Sequence, residues 1–235
     1  MIINLAMTSY RSLKFPLILV TFCALTSAHA ADKKAPPPKP ANQYAAFDTH
    51  PDEHVTVAAE PCNDPDQCSF FRLQYIQHGF IPIRVIITND SDTALNLDEV
   101  RMQFISANHD VVPAALPDDL NRRLFSTKSA MGTKIPMVPL TIHHAPVDKK
   151  ITQDDEEFGF PGTTVNAHST LAGYLFYDVH GLDDPPLKDA QFYVKMIRTL
   201  DGKKELFAFS IPLNKWLAAS SHTATESAKP ESQKN

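Results

Sequence analysis

Apolar and polar residues alternate along the middle of the chain with the two-residue period of β-strands. Residues 55–57 and 100–104 follow this pattern, which predicts strands with one buried and one solvated face, and residues 171–179 and 191–199 are predicted to be further strands. Residues 81–88 are apolar and β-branched, and this composition is typical of a central strand. The middle of the chain is therefore predicted to be mostly β.

Small polar residues mark the predicted turns between these strands. Asn89, Asp90, Ser91 and Asp92 follow the central strand, and such side chains satisfy their own backbone in tight turns. Asp201-Gly202 predicts a two-residue hairpin turn that leads into a strand over residues 204–210. Residues 71–76 alternate less regularly and fit either a strand or one helical turn.

The helical patterns are short. Leu116, Leu120 and Leu124 share one helical face, with Pro117 placed where a first turn accepts it. Thr152 followed by Asp155 resembles a capping pattern before a helix of one or two turns. Residues 126–150 show no period, and the segment around Trp216 and Leu217 predicts a short helix that closes one end of the domain. Many strands with few helices predict an all-β antiparallel sandwich with short helices in a long insertion.

The chain begins with the pattern of a secretory signal peptide over residues 1–30. Arg11 and Lys14 precede an apolar run, and Ala28-His29-Ala30 fits a cleavage site. The run of roughly 11 apolar residues is too short to cross a bilayer core of ~30 Å as a helix. The mature protein is therefore expected to be secreted or periplasmic, with no transmembrane segment.

Composition divides the rest of the chain into three parts. Residues 31–42 are proline-rich and predict a semi-rigid linker. Residues 43–219 are long enough for one domain with its own core. Residues 220–235 are polar and predict a disordered tail.

Charge and glycine content exclude several function classes. The formal net charge is −5, and loss of Arg11 and Lys14 with the signal peptide makes the mature chain more acidic still. An acidic chain without a basic stripe is a poor candidate for nucleic acid or anionic membrane. The 7 glycines against 19 prolines argue against a phosphate-binding loop.

Two cysteines remain after export, because Cys23 leaves with the signal peptide. Cys62 and Cys68 lie close together in a polar loop, and in an oxidising compartment such a pair predicts a disulfide. The spacing is not that of a redox CxxC motif, and a zinc site would need further soft ligands. No cofactor is predicted.

Three clusters carry potential metal ligands. His143 and His144 together with the carboxylates of residues 154–157 offer a divalent-ion site, although acidic residues in a first helical turn are also explained by the helix dipole. His50 and His54 have a ligand-like spacing, but Pro51 disfavours a helix and favours a solvated loop. Residues 63–67 group oxygen atoms suited to calcium, and they equally fit ordinary turn chemistry.

An apolar, proline-bearing segment over residues 134–142 is predicted to contact a protein partner. Prolines cannot donate to a β-ladder, so the segment does not fit a core strand. Exposed apolar loops mark contact surfaces, and the alternative is a segment that covers one face of the core. The candidate partner-binding residues are Ile135, Met137, Val138 and Leu140.

The order of these pieces resembles a known family over roughly residues 80–200. The carrying motifs are the Asn-x-Ser turn at Asn89, the turn at Asn108-His109-Asp110 and the "G-x-L-x-F-x-V" strand over residues 173–179. The chain is similar to the immunoglobulin-like domains of exported bacterial proteins in the telokin-like class of unknown function. This resemblance implies an immunoglobulin-like sandwich and an exported setting, with no catalytic residue.

No catalytic motif stands out. The chain lacks a Gly-x-Ser-x-Gly elbow, and both mature cysteines are assigned to the disulfide. The sequence therefore predicts an exported, non-enzymatic binding or accessory module with a protein partner in the periplasm or cell envelope. The alternative is a metal-dependent protein that uses His143 or His144 with the carboxylates of residues 154–157. A structural spacer without any ligand is the third hypothesis.

Overall fold

The computed structural model describes residues 37–125, 133–134, 141–142 and 146–227, with side chains described over 37–125 and 146–220. The signal peptide, both histidines of the predicted metal site and the four predicted partner-binding residues, Ile135, Met137, Val138 and Leu140, lie outside the described residues. Those predictions stay predictions.

The described elements are mostly strands. In chain order they are β1 (Phe47–His50), β2 (Val55–Pro61), β3 (Phe80–Asn89), β4 (Leu95–Asn96), β5 (Arg101–Ile105), β6 (Val111–Pro113), β7 (Thr133–Lys134), β8 (Thr141–Ile142), β9 (Thr164–Val165), β10 (Ser169–Asp178), β11 (Gln191–Lys195), β12 (Arg198–Thr199) and β13 (Phe209–Pro212). The helices are α1 (Pro117–Leu124), α2 (Val147–Phe158) and α3 (Asn214–Ser227), with 3₁₀ helices at Ala41–Gln43, Pro51–Glu53 and Ile76–His78.

Two four-stranded antiparallel sheets form a β-sandwich-like fold. The first sheet has the order β1-β2-β3-β10 and the second has the order β13-β11-β5-β6. A smaller sheet, β12-β4-β9, and the pair β7-β8 complete the described strands. The predicted antiparallel all-β architecture is confirmed, and α1 and α2 lie in the predicted insertion.

The main core lies between the two large sheets. Alternate residues of β3, such as Ile83, Val85 and Ile87, belong to one cluster with Phe104 and Phe192 of the second sheet, and all are fully buried. Side chains on a strand alternate between faces, so these positions share one side of β3. Burial of each such side chain contributes about 1.5–3 kcal/mol.

The outer face of β3 is buried as well. Phe80 packs with residues of α1, α2 and the loop after β2, and Ile86 packs with Ala41 and Ala58. Every residue of β3 is therefore buried. This double burial explains why the sequence is apolar at nearly every position here instead of alternating.

Ala41, near the end of the predicted linker, packs onto the first sheet. Ala41 is fully buried, and its backbone N–H donates to the hydroxyl of Thr88 over 2.8 Å. The last residues of the predicted linker thus belong to the 3₁₀ turn Ala41–Gln43. The small side chain of Ala41 in this turn packs against Ile86 of the first sheet.

The turn after β3 contains a buried hydrogen-bond network centred on Asn89. The Asn89 amide is fully buried, and its Nδ2 donates to the carbonyl oxygens of Thr93, Val165 and Asn166. Its Oδ1 accepts hydrogen bonds from the backbone and hydroxyl of Ser91. The following strand pairs with β9 and β12 and not with β3, so the turn leads the chain out of the first sheet.

Two strand predictions were wrong in detail. Residues 191–199 form β11 and β12 and not one strand, because Met196 takes a left-handed φ of 67° and redirects the chain into another sheet. The predicted two-residue hairpin loop is longer, since the backbone N–H of Thr199 donates to the carbonyl of Lys204, and the next strand begins only at Phe209. Residues 71–76 form turns that lead into the 3₁₀ helix Ile76–His78.

The helices correct three further predictions. Leu120 and Leu124 of α1 are buried as expected, but Leu116 is 66% exposed. The second helix starts after Pro146, which suits the position before a first turn, so Thr152 lies in mid-helix and not at a cap. Trp216 packs against the main core as predicted, but α3 runs beyond residue 220 to Ser227.

Within the described ranges, no helix combines the length and apolar character needed to cross a membrane.

We expect Asn89→Ala to lower the free energy of unfolding by about 2–3 kcal/mol, because it leaves buried backbone groups without their partner. Urea denaturation measures this loss. Asn108→Ala is the control, since Asn108 is exposed and bonds only an exposed Asp183 among the contacts described for its side chain. Equal losses in the two variants would contradict the assignment of Asn89 as a buried link.

Candidate ligand-binding cleft

The register of the first sheet places three polar residues side by side on its outer face. Glu60 of β2 and Tyr174 of β10 both lie directly opposite Arg84 of β3. The face is fixed by the two-residue period, because Ile86 on the same side of β3 packs outward against Ala41. A carboxylate, a guanidinium and a phenol thus form one row across three strands.

Arg84 lies at the centre of this row and is only 4% exposed. Its Nη1 lies 4.0 Å from Oε2 of Glu60, and its Cζ lies 5.9 Å from the centroid of the Tyr174 ring. The second distance falls within the range of cation–π attraction. The row therefore holds a positive charge at a fixed position on the central strand.

Burial raises the pKa values of Glu60 and Tyr174, the two residues beside Arg84. Burial raises the pKa of Glu60 above its ordinary value, and this effect exceeds the opposing influence of Arg84 and Lys39. Burial also raises the pKa of Tyr174 to about 12. The phenol consequently keeps its proton near neutral pH and serves as a hydrogen-bond donor.

The row forms part of the floor of an open cleft of about 820 Å³. This volume falls within the ~300–1,000 Å³ range of small-molecule sites. Three segments form the walls: the start of the domain, the loop after β2 and helix α3. Their lining residues include Lys39, Gln43, Tyr44, Asp64, Gln67, Phe70, Trp216 and Ala219.

The predicted disulfide between Cys62 and Cys68 is confirmed and shapes one wall. The backbone N–H of Cys62 donates to the carbonyl of Pro82, which ties the loop to β3. Phe70, in the same loop, lines the cleft, and its ring centroid lies 5.5 Å from that of Tyr174. Closing a ring this small contributes about 2 kcal/mol. Its local effect is to hold the loop against the sheet.

A second polar cluster joins the loop after β2 to helix α2. The Asp154 side chain is fully buried in α2 and accepts hydrogen bonds from the backbone and Nη1 of Arg72 and from the Tyr75 hydroxyl. Glu157 pairs with Nη2 of Arg72 over 2.5 Å. Burial raises the pKa of Asp154 despite the opposing hydrogen bonds from Arg72 and Tyr75.

This cluster corrects the interpretation of residues 154–157. They occupy the last turns of α2 and not its first turn, so the helix dipole does not explain them. Asp154 and Glu157 bind Arg72, and the predicted metal site stays a prediction because His143 and His144 lie outside the described residues. Within the described residues, no group of three or more His, Cys, Asp or Glu side chains is placed to hold a metal ion.

The other two candidate metal clusters have local structural roles. His50 is half-buried and not solvated, because its ring stacks on Phe209 at 3.9 Å and its Nδ1 lies 3.0 Å from Oε2 of Glu53. His54 ends the 3₁₀ turn in a left-handed conformation. Asp64 accepts a hydrogen bond from the backbone N–H of Asp66, which is turn chemistry.

The sequence prediction missed the row of Glu60, Arg84 and Tyr174. One signal was available: Arg84 is the single charged residue in the apolar run of residues 80–88. A charge at the centre of a buried strand needs partners, so it indicates either an ion pair or a site. Which residues lie beside it depends on strand register, which the sequence alone does not give.

Comparison of the chain with protein-family models, with curated proteins and with solved structures finds no match.

We expect Arg72→Ala to cost about 3 kcal/mol of stability, because it leaves the carboxylate of Asp154 buried without its cation. Chemical denaturation measures the cost. Arg122→Ala is the matched control: Arg122 pairs with Asp119 on the exposed face of α1, and its loss should cost less than about 1 kcal/mol. A cost for Arg72→Ala as small as the control would contradict a stabilising role.

The raised pKa of Glu60 predicts a pH-dependent effect of Glu60→Gln. Glu60 holds its proton more tightly in the folded than in the unfolded chain, so its favourable contribution is complete below its unfolded pKa and is lost as pH rises through the folded pKa. The stability of the variant relative to wild type should therefore increase from about pH 4 to about pH 7. Urea denaturation across this range tests it, with exposed Glu156→Gln as the control for lost charge. A constant or decreasing difference would contradict the raised pKa.

Proposed function

We propose that the protein is an exported, non-enzymatic binding module whose ligand occupies the cleft over Glu60, Arg84 and Tyr174. The single observation that carries this proposal is the buried Arg84 on the floor of a preformed cleft. A concave site with a few convergent polar groups and shifted pKa values is the expected form of a ligand site.

Two of the three floor residues, Arg84 and Tyr174, have a chemistry that suits binding over proton transfer. A guanidinium keeps its proton at all physiological pH values, and a phenol with a pKa of about 12 exchanges its proton poorly near neutrality. These groups position a ligand well and transfer protons badly. Arg84 is also fixed on a strand buried on both faces, which limits its rearrangement on binding.

Export is supported by the disulfide. Bonds such as Cys62–Cys68 persist in oxidising compartments and are rare in the cytosol. Together with the signal-peptide pattern of residues 1–30, this supports a secreted or periplasmic location.

We infer an immunoglobulin-like topology from the strand orders. The order β2-β3-β10 matches strands A, B and E, and β13-β11-β5-β6 matches G, F, C and C′. This correspondence supports the resemblance to immunoglobulin-like exported domains. The fold itself does not specify the ligand, so the proposal rests on the cleft.

The test is to block the cleft from α3. Ala219→Trp places a bulky ring at a lining position, whereas Ala218→Trp makes the same change at the preceding exposed residue, which does not line the cleft. A fragment library is screened against wild type and both variants by ligand-observed NMR. We expect fragments that bind wild type and Ala218→Trp and are lost in Ala219→Trp.

Two outcomes would overturn the proposed function. One is a wild-type protein that binds no fragment. The other is a set of fragments whose binding is unaffected by Ala219→Trp, since their site would lie elsewhere. Thermal unfolding of both variants checks that each is folded before the screen.

A further inference from the structure

We propose that an apolar groove beside β5 binds a small anionic amphiphile, namely an alkyl carboxylate of medium chain length, whose charge is bound by Arg101. This groove is separate from the cleft over Glu60, Arg84 and Tyr174, since the two share no lining residue. The inference therefore goes beyond the proposed function and does not rest on it.

The groove exists because β6 is too short to cover its neighbour. β6 pairs with β5 only from Gln103 onward, so Arg101 and Met102 have no described partner strand on that edge. After β6 the chain leaves the second sheet and reaches the first, where Ala114 bridges Tyr177 of β10. An opening toward the core therefore remains between β5 and β10.

The segment after α2 forms the opposite wall of this groove and is held in place twice. The backbone of Phe160 lies so close to β10 that a Cβ on Gly173 would come within 2.5 Å of its nitrogen. Three residues later, the carbonyl of Thr163 accepts the backbone N–H of Leu97 over 2.8 Å. The groove is therefore formed before a ligand arrives, which reduces the ordering cost of binding.

Apolar side chains form most of the lining. Val100, Ala114, Phe160 and Leu175 line the groove and are only partly buried where they pack against the main core. An alkyl chain in the groove would remove their remaining apolar surface from water, which favours binding. The volume of about 390 Å³ lies near the lower end of the ~300–1,000 Å³ range of small-molecule sites, so it suits one chain of medium length.

Arg101 supplies the selectivity for an anion. It is the single charged residue in the described lining, which contains no carboxylate. Its side chain is exposed and makes no hydrogen bond or ion pair with another described residue. Lys195 of β11 lies directly opposite Arg101, and two like charges in this position repel each other. An anion bound beside Arg101 relieves this repulsion.

The carboxylates that precede β5 in the chain are bound to other groups. Glu99 pairs with Arg198, and Asp98 accepts hydrogen bonds from the backbone of its own turn and from the side chain of Asn96. Neither carboxylate lines the groove. A ligand with a cationic head would therefore meet Arg101 without a compensating charge in the described lining.

The experiment compares three probes that share one alkyl chain and differ in the charge of the head group. Octanoate, octanamide and octylamine are titrated into the protein by calorimetry. We expect octanoate to bind about five-fold more tightly than octanamide, equivalent to about 1 kcal/mol, the upper end for an exposed ion pair. Octylamine should bind least tightly. The preference for octanoate should disappear in 1 M NaCl, where charges are screened beyond ~3 Å.

Three variants test the charge. Arg101→Gln should abolish the preference for octanoate over octanamide, whereas Arg101→Lys should keep most of it, because the positive charge remains. Lys188→Gln is the control, since it removes an exposed positive charge outside the groove and should change nothing. Arg101 is exposed, so its substitution should leave the fold intact, and thermal unfolding checks this.

Three further variants test the location. Gly162 lines the groove, and a Cβ added there meets no atom within 4 Å, so Gly162→Trp can place a ring over the site. We expect this change to weaken octanoate binding about ten-fold. Pro161→Trp, at the preceding exposed residue outside the lining, should leave the affinity unchanged. Ala219→Trp, which blocks the cleft, should also leave it unchanged.

Five outcomes would overturn this inference. They are a wild-type protein that does not bind octanoate, equal affinity for octanoate and either neutral or cationic probe, a preference that persists in Arg101→Gln, binding unaffected by Gly162→Trp, and binding lost in Ala219→Trp. The first four leave the proposed cleft untouched, and the last would support it. If Gly162→Trp fails to fold, the Arg101 variants still decide the question.

Discussion

The burial of β3 on both faces is the constraint on which the rest of the structure depends. Its inner residues pack against the second sheet, as in any sandwich, but its outer residues need a second cover. The loop after β2, α1, α2 and the turn at Ala41 supply this cover. Arg84 and its neighbours Glu60 and Tyr174 also line an open cleft beside this cover. The candidate site thus lies next to the segments that bury the outer face of β3.

Polar groups hold the cover in place because apolar contacts alone do not fix a loop. The carboxylate of Asp154 binds Arg72 and Tyr75. The disulfide closes the start of the same loop, which the backbone N–H of Cys62 joins to Pro82 of β3. Between these two attachments lies Phe70, which forms part of the cleft wall. Buried charges are costly unless they are paired, so this network fixes one position of the loop. The shape of the cleft therefore depends on the contacts of Asp154 with Arg72 and Tyr75, which do not line the cleft.

Local chemistry explains which predictions failed. Residues 191–199 were predicted to form one strand, but Met196 adopts a left-handed conformation that no local pattern announces. Thr152 resembles an N-cap, yet Pro146 begins α2 earlier and the threonine hydroxyl bonds the carbonyl of Asp148 within the helix. Short polar motifs are ambiguous because the same side chains serve caps, turns and helix interiors.

The sequence by itself determined the antiparallel β architecture, the central strand, the short helices of the insertion and the Cys62–Cys68 disulfide. These features follow from residue periodicity, composition and spacing, which are local properties. Only the tertiary structure decided that Arg84 lies between Glu60 and Tyr174, or that Asp154 binds Arg72 and Tyr75. Such contacts join residues far apart in the chain, and strand register and helix docking are set by packing of the whole domain. The candidate site therefore depends on strand register, whereas the fold class follows from the periodicity and composition of the sequence.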